Sequence, residues 1–357
     1  MRGRTLLLAA LAVAALLPAA AGTWLLLRPE ADGRVGHLRA EAPSAARGED
    51  IPFDLWYPAL PGGRAVTVGG NGVFHGTPAG RGAPPAPGRA PLVLVSHGAG
   101  GNAGQMGSLA SALAEAGYAV AIPNHPGTTS GNASAAAAVR LWERLPDLSA
   151  VIDALEADPD RFGFVDATRI AALGFSAGGY TALALAGAQG DPKRLAAFCD
   201  DPAATGMSDC AFLAAGGVDL RALDLRPAGR DLRDGRVDAV VAIDPGTVGT
   251  ITERSLAAIA VPALVVNLGA EEAVPAAVRA REAAGRIPGA TYHAIPDASH
   301  FSFLAACKPA GAAILRDEGE PDPLCDDAGG RARPEIHAQL AALIAGWLDG
   351  ALGPARP

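Results

Sequence analysis

A serine between glycines is the feature of the sequence that points most directly to chemistry. Residues 174–179 read GFSAGG, a G-x-S-x-G motif centred on Ser176. The apolar run 169–173 before it predicts a buried strand, and residues 180–186 have the composition of a helix packed against small side chains. With 45 glycines in the chain, the motif alone is moderate evidence, and its flanks make it specific. Strand, tight turn and helix describe a nucleophile elbow, and Ser176 is the predicted nucleophile.

A serine hydroxyl needs a neighbouring base to accept its proton. Among seven histidines, His300 is the best candidate because it follows the last predicted strand, 291–295. His97 and His125 also lie at predicted strand ends, but beside turns upstream of the serine. We therefore predict His300 as the base, against the alternative that a histidine is only a structural hydrogen-bond partner.

The acid that orients the histidine has more than one candidate. Asp244 directly follows the apolar run 239–243, whereas Glu271 and Glu272 follow the run 263–267. The run 263–267 precedes the commoner position of the acid, but no aspartate stands there. We favour Asp244 and keep both glutamates as alternatives; Asp244 could also be only a strand-end cap.

A developing oxyanion needs two backbone N–H groups directed at it. The residue after the nucleophile supplies one, which is Ala177 here. Ala99, in the glycine-rich turn 97–101, is the predicted second donor. That turn lacks the Gly-Lys-Ser/Thr ending of a nucleotide-binding P-loop, so its alternative reading is a tight or anion-binding loop.

The remaining elements predict how these residues meet. Apolar strands at 51–58, 92–95, 118–123, 169–173, 238–244, 261–267 and 291–295 alternate with helical segments. This order predicts an α/β fold with a mostly parallel central sheet and helices on both faces, whose site lies at the carboxyl ends of the strands. We predict one domain over 28–357, with a surface lead-in at 28–50, a long hairpin or loop at 61–91 and a small cap insertion at about 190–236.

The N-terminus predicts export. Arg2 and Arg4 precede the apolar run 6–17, which ends at Pro18 and three alanines, as in a secretory signal. Alternatively, residues 6–27 remain as a membrane anchor. Both readings of residues 1–27 place the chain outside the cytoplasm, either periplasmic or secreted, or attached to the inner membrane and facing outward. The net charge of −8 and the lack of a basic cluster argue against nucleic acid as a partner.

Four cysteines fit an oxidising compartment. We favour the pairs Cys199–Cys210 and Cys307–Cys325, since each would close a short irregular segment. Free buried thiols are the alternative. The spacings lack C-x-x-C and H-x-x-x-H, so zinc is not favoured.

The chain resembles the α/β-hydrolase superfamily and, more narrowly, the bacterial dienelactone-hydrolase-like proteins related to plasma-type platelet-activating-factor acetylhydrolase. The segments that carry the resemblance are LWYP at 55–58, SHG at 96–98, NHPG at 124–127, GFSAGG at 174–179, IDP at 243–245 and SHFSFL at 299–304, with Cys307. The family implies ester hydrolysis without a metal or organic cofactor. In the acetylhydrolase branch the acid follows the strand matching 239–243, which favours Asp244. True dienelactone hydrolases have cysteine at the elbow, where this chain has Ser176.

The sequence therefore predicts a serine esterase that acts on a small-molecule or lipid ester through Ser176, His300 and Asp244, with an acyl-enzyme intermediate. Two alternatives remain. One is a lipase or phospholipase A2-like activity on short or oxidised acyl chains, with the insertion as the acyl-binding cap. The other is a non-catalytic binding protein of the cell envelope that retains the fold.

Overall fold

The computed structural model of the protein describes residues 33–353, so the predicted signal or anchor at 1–27 lies outside the described residues. Ten strands form one sheet in the order β10-β9-β8-β7-β5-β6-β2-β1-β4-β3. From β10 to β6 all neighbours are parallel, whereas β2 pairs antiparallel with both β6 and β1. The strands are β1 Val35–Ser44, β2 Glu49–Pro58, β3 Arg64–Val68, β4 Thr77–Arg81, β5 Ala90–Ser96, β6 Ala119–Pro123, β7 Val165–Phe175, β8 Val237–Ile243, β9 Ala263–Leu268 and β10 Thr291–Ile295.

Helices connect the parallel strands and cover the sheet. The α-helices are α1 Gly107–Glu115, α2 Ala135–Val139, α3 Arg144–Ala157, α4 Pro159–Phe162, α5 Ala177–Leu185, α6 Pro192–Ala196, α7 Pro202–Thr205, α8 Asp209–Ala215, α9 Glu253–Ala257, α10 Arg281–Arg286, α11 Gly311–Asp317 and α12 Arg333–Ala351. Short 3-10 helices lie at Ala103–Met106, Leu141–Glu143, Leu220–Ala222, Arg226–Gly229, Val248–Thr250, Ala276–Val278 and His300–Phe303.

The central strands are apolar on both faces because helices pack on both sides of the sheet. In β5, Leu92 and Leu94 belong to one buried cluster, while Val93 and Val95 belong to the cluster on the opposite face. This arrangement brings the carboxyl ends of β5, β7, β8 and β10 to the same edge, where the predicted site residues follow them.

The prediction of a surface lead-in at 28–50 is wrong over 35–44. Those residues form β1, which pairs antiparallel with β2 along its whole length. In β1, exposed Arg39 is followed by buried alanines, such as Ala40 and Ala42, that face the core. Small apolar residues give only a weak alternation of apolar and polar positions, so the sequence does not predict this strand. Pairing with β2 stabilises it in the fold.

Two disulfides join Cys199 to Cys210 and Cys307 to Cys325, as predicted. Both fit folding outside the reducing cytoplasm. Among the helices of residues 33–353, none combines the length and the apolar character needed to cross a membrane.

Candidate active site

Ser176 lies at the bend between β7 and α5. Its backbone has φ 55° and ψ −123°, a conformation that is rare for a residue with a side chain. A Cβ atom on Gly174 would collide with the carbonyl of Gly178, and one on Gly178 would collide with the carbonyl of Ser96. Glycine is therefore required on both sides of Ser176, which is the crowding that the motif predicted.

The elbow is hydrogen-bonded to the loop that carries Asp244. The Ser176 N–H donates to the carbonyl of Ile243 at 3.0 Å, and the Gly246 N–H donates to the carbonyl of Ser176 at 2.7 Å. These two bonds lie on either side of Asp244 in the sequence. The backbone thus fixes the position of Asp244 relative to Ser176.

The structure brings Asp244 and His300 together. His300 Nδ1 lies 2.8 Å from Asp244 Oδ2, and both side chains are buried. Asp244 Oδ1 accepts hydrogen bonds from Asn267 Nδ2 at 2.7 Å and from the Leu268 N–H at 3.0 Å. Three hydrogen-bonding groups therefore surround this carboxyl group and fix its orientation.

The two alternative acids do not meet His300 in this way. Glu271 forms an ion pair with Arg281 at 2.6 Å, and both Glu271 and Glu272 are exposed. A partner of the imidazole must be close and shielded from water to hold one tautomer. Of the three candidates, Asp244 alone has that geometry.

His300 opens the 3-10 helix His300–Phe303 and its ring stacks on that of Phe175, with the centroids 4.6 Å apart. Phe175 directly precedes Ser176, so this stacking holds the imidazole beside the elbow. Within residues 33–353, Ser176 Oγ and His300 form no direct hydrogen bond, but both line one open cleft. Such bonds are commonly long in unliganded enzymes.

Ala99 and Ala177 both line the space beside Ser176. Ala99 follows β5, and Ala177 is the first residue of α5. In the described part of the chain, neither N–H donates a hydrogen bond to another backbone or side-chain group. Two N–H groups left available next to a serine hydroxyl are able to stabilise a negatively charged oxygen.

A buried polar network, which the sequence did not predict, supports the loop that holds Ala99. Ser96 Oγ lies 2.9 Å from His125 Nε2, and His125 Nδ1 lies 2.9 Å from Asp147 Oδ2. Arg144 donates from Nη1 to the carbonyl of His97 at 2.6 Å. All of these side chains are buried, so the network is structural and has no access to substrate.

The two buried histidines here, His97 and His125, are held in the neutral form. Burial lowers the pKa of His125 to about 4, and it lowers the pKa of His97 well below its ordinary value. Burial also lowers the pKa of Arg144 to about 9, so its guanidinium is charged at neutral pH. A fixed cation therefore faces the carbonyl of His97, two residues before Ala99.

Two spaces meet at Ser176. The first, called here the apolar cavity, is lined by Ser176, Ala99 and Ala177 and by the apolar side chains of Val139, Leu141, Trp142, Phe198, Phe212, Leu213 and Val278. The second, called here the open cleft, contains Ser176, His300, Phe301, Leu304, Asp322 and Leu324. Phe198, Met207, Phe212 and Leu213 come from the predicted cap segment, 190–236.

The described residues, 33–353, contain no group of three metal-ligating side chains. The polar groups beside Ser176 include the imidazole of His300, the carboxyl group of Asp244 behind it, and the N–H groups of Ala99 and Ala177.

Comparison with known proteins gives the following likenesses. A sequence profile of the prolyl oligopeptidase family matches residues 105–200, less than half of the chain. No curated protein matches the sequence.

Among solved structures, ferulic acid esterase from Streptomyces cinnamoneus matches with a TM-score of 0.59 and 20% identity, over 93% of this chain and 94% of that one. Dienelactone hydrolase from Anabaena variabilis has a TM-score of 0.50 and 14% identity, over 90% and 100% of the two chains. The esterase Est22 also has a TM-score of 0.50 and 14% identity, over 89% of this chain and 82% of that one. At such identities these likenesses establish the fold, and the predicted fold is confirmed.

Proposed function

We propose that this α/β-hydrolase-fold protein is a serine esterase that cleaves carboxylic esters. The observation that carries the proposal is the contact of His300 Nδ1 with Asp244 Oδ2 at 2.8 Å, in a cleft that His300 shares with Ser176. A carboxylate on Nδ1 keeps the proton there and leaves Nε2 as an acceptor. The imidazole is thereby prepared to take a proton from a serine hydroxyl.

The reaction begins when Ser176 Oγ attacks the ester carbonyl and His300 takes its proton. Negative charge then develops on the carbonyl oxygen, and the Ala99 and Ala177 N–H groups stabilise it. His300 returns the proton to the leaving alcohol, and an acyl-enzyme remains on Ser176. Water, activated by the same imidazole, attacks this acyl group and releases the acid.

The open cleft and the apolar cavity receive different parts of the substrate. The leaving oxygen must be within reach of His300, which lines the open cleft and is absent from the wall of the apolar cavity. The alcohol part therefore occupies the open cleft, and the acyl part enters the apolar cavity. Trp142, Phe198 and Phe212 make this cavity suitable for an aromatic or short aliphatic acyl group.

The lipase-like alternative differs only in the length of the acyl group. The cavity wall contains apolar side chains of the cap segment, such as Leu195 and Phe212, which would also contact a short fatty acyl chain. A series of 4-nitrophenyl esters from acetate to decanoate distinguishes the two: we expect a maximum of kcat/KM at short chains. Activity that rises to the longest chains would favour a lipase.

The proposed location is the periplasm or the exterior of the cell. Two disulfides within the described residues support it, because such bonds persist in oxidising compartments.

The central test is covalent labelling of Ser176. A fluorophosphonate probe should label the wild-type protein and leave Ser176→Ala unlabelled. Ser108→Ala is the matched control, since Ser108 lies on α1 and bonds to His337 at 3.1 Å. Equal labelling of wild type and Ser176→Ala, or no ester hydrolysis by the wild type, would contradict the proposal and favour a binding protein.

A further inference from the structure

Thr247, in the loop after β8, has a backbone conformation that is costly for its residue type. Its φ is 49° and its ψ is 26°, in the left-handed region. Branching at Cβ makes this region especially unfavourable for threonine, whereas glycine occupies it without strain. The other residues of 33–353 that have positive φ and are not glycine are Ser176, Asp244 and Ala328, and none of them is branched at Cβ.

The Thr247 hydroxyl adds a second cost. Its Oγ1 is buried, and within residues 33–353 it has no hydrogen-bond partner. A buried polar atom without a partner lowers the stability of the folded state. Glycine at this position would remove both the backbone strain and the buried hydroxyl. Residues that lower stability in this way are concentrated at functional sites, where the strain serves the function.

Hydrogen bonds on both sides hold Thr247 in this conformation. The Gly246 N–H donates to the carbonyl of Ser176 at 2.7 Å. The Thr247 carbonyl accepts from the Thr250 N–H and from Thr250 Oγ1, each at 2.8 Å. The loop is thus bonded to the backbone of the proposed nucleophile, and the surrounding contacts maintain a conformation that Thr247 alone would not adopt.

Thr247 lies beside the space that receives the acyl group. Both Gly246 and Thr247 line the apolar cavity together with Ser176. A Cβ atom on Gly246 would lie 3.0 Å from the Ala177 nitrogen, so the loop runs directly beside the elbow. Because Oγ1 is buried, the Thr247 side chain offers the cavity its bulk and no hydrogen-bonding group. An acyl group that enters the cavity from Ser176 therefore shares this space with the Thr247 side chain.

We propose that Thr247 is a specificity-determining residue whose branched side chain limits the length of the acyl group in the apolar cavity. This inference rests on the proposed esterase function and deepens it, because it names the substrate class as esters of short-chain acids. The loop after β8 then has two roles: Asp244 orients the imidazole, and Thr247 limits the acyl group. Threonine at 247 lowers the stability of the protein and excludes longer acyl chains.

The test measures acyl selectivity and thermal stability in the same variants of the whole protein. Selectivity is the ratio of kcat/KM for 4-nitrophenyl octanoate to kcat/KM for 4-nitrophenyl butanoate, and we expect it to be below one for the wild type. Thr247→Gly should raise this ratio by about tenfold or more, because the added space accepts methylene groups that the wild type excludes. Its Tm should not fall, although a side chain is lost, because the backbone strain and the buried hydroxyl are removed.

Two further variants at this position separate bulk from hydrogen bonding. Thr247→Val keeps the branched shape and removes the hydroxyl, so the ratio should stay near that of the wild type and the Tm should be equal or higher. Thr247→Ser removes only the methyl group, and its ratio should lie between those of the wild type and Thr247→Gly.

Thr250→Val is the matched control, since it removes a hydroxyl of the same turn that does have a partner. Loss of that hydrogen bond should lower the Tm, in contrast to Thr247→Val, while the ratio stays near the wild-type value because the volume is kept.

Unchanged ratios in both Thr247→Gly and Thr247→Ser would overturn the inference and leave the esterase function intact. So would a wild-type ratio above one, a changed ratio in Thr247→Val, or a Tm of Thr247→Gly that falls as far as that of Thr250→Val. If the wild type hydrolyses none of these esters and a fluorophosphonate probe labels wild type and Ser176→Ala equally, the proposed function itself fails, and this inference fails with it.

Discussion

Asn267 Nδ2 donates a hydrogen bond of 2.7 Å to Asp244 Oδ1, on the side of the carboxylate opposite to His300. Both ends of the Asn267 amide make further hydrogen bonds: Nδ2 also donates to the carbonyl of Val278, and Oδ1 accepts from the Ala280 N–H. Asn267 is the next-to-last residue of β9, close to the position where the sequence suggested Glu271 or Glu272. β9, which precedes the commoner position of the acid, thus carries an amide that bonds to the favoured acid, Asp244, directly after the neighbouring strand β8.

Asn267→Ala removes this support and leaves Asp244 Oδ1 with the Leu268 N–H as its donor. We expect kcat to fall about tenfold with little change in KM, because the imidazole loses orientation and the substrate contacts remain. Loss of the buried hydrogen bonds should also lower the free energy of unfolding by about 1–3 kcal/mol. Steady-state kinetics and thermal unfolding measure the two effects, with exposed Asn71 replaced by alanine as the control. Full activity in Asn267→Ala would show that the amide does not position Asp244.

Asp244→Asn separates the three candidate acids. An amide at this position permits the wrong imidazole tautomer, and we expect kcat to fall by about 10⁴-fold. Glu271→Gln and Glu272→Gln should each change kcat by less than about twofold, because both side chains are exposed and lie away from His300. A larger loss of kcat in either glutamate variant than in Asp244→Asn would identify that glutamate, in the loop after β9, as the acid.

Much of the site follows from the sequence because its residues are local to strand ends. The GFSAGG segment predicts its own tight turn, because glycine stands where a Cβ atom would collide with the carbonyl of Gly178 or of Ser96. The parallel strands β5 to β10 are visible as apolar runs, whereas β1 is not. The order of these strands and the helices between them then sets the sheet edge where the side chains meet.

The residues that the sequence did not predict act through partners distant along the chain. Arg144 lies 47 positions from His97, and Asn267 lies 23 positions from Asp244. No periodicity marks an arginine in a helix as buried or an asparagine in a strand as the partner of a carboxylate. Only the packing of α3 and β9 against the strand ends assigns these roles.

Arg144→Met tests the network behind the Ala99 loop. The substitution keeps much of the buried volume and removes the donor that holds the carbonyl of His97 at 2.6 Å. We expect kcat to fall 10- to 100-fold at nearly unchanged KM, because a displaced Ala99 N–H affects the oxyanion more than the bound ester. Binding of an aryl boronic acid, which mimics the tetrahedral oxyanion, should weaken by a similar factor. Arg226→Met is the control, since the Arg226 side chain is 87% exposed. If KM rises and kcat is unchanged, Arg144 does not act on the oxyanion position.

His125 makes the stability of the fold sensitive to acid. Burial lowers its pKa to about 4, against about 6.5 in an unfolded chain. Between those values the unfolded chain binds a proton that the folded protein does not, so the free energy of unfolding falls as the pH is lowered from 7 to 4. The expected loss from this one group is about 3 kcal/mol. His97 adds to it with the same sign, because its pKa is also lowered by burial.

His125→Gln keeps a donor and an acceptor but does not titrate in this range. Urea unfolding at pH 7, 5.5 and 4.5 should show a flatter dependence on pH for this variant than for the wild type. His75→Gln, at an exposed position, should keep the wild-type slope. Equal slopes for His125→Gln and the wild type would contradict a buried neutral imidazole at this position.

The disulfide Cys199–Cys210 closes the part of the cap segment that supplies Phe198, Met207 and Asp209 to the cavity wall. The double substitution Cys199→Ser with Cys210→Ser releases that segment and should lower the free energy of unfolding by about 2–4 kcal/mol. We expect KM for a bulky aromatic ester to rise several-fold, because the wall that contacts the acyl group is less ordered. Hydrolysis of 4-nitrophenyl acetate should be nearly unchanged, since the acetyl group is too short to need that wall. The matched control removes Cys307–Cys325, whose loop supplies Asp322 and Leu324 to the open cleft and should affect the alcohol part instead. An equal loss on acetate and on the aromatic ester would show that the bond supports the whole fold and has no particular role in the acyl site.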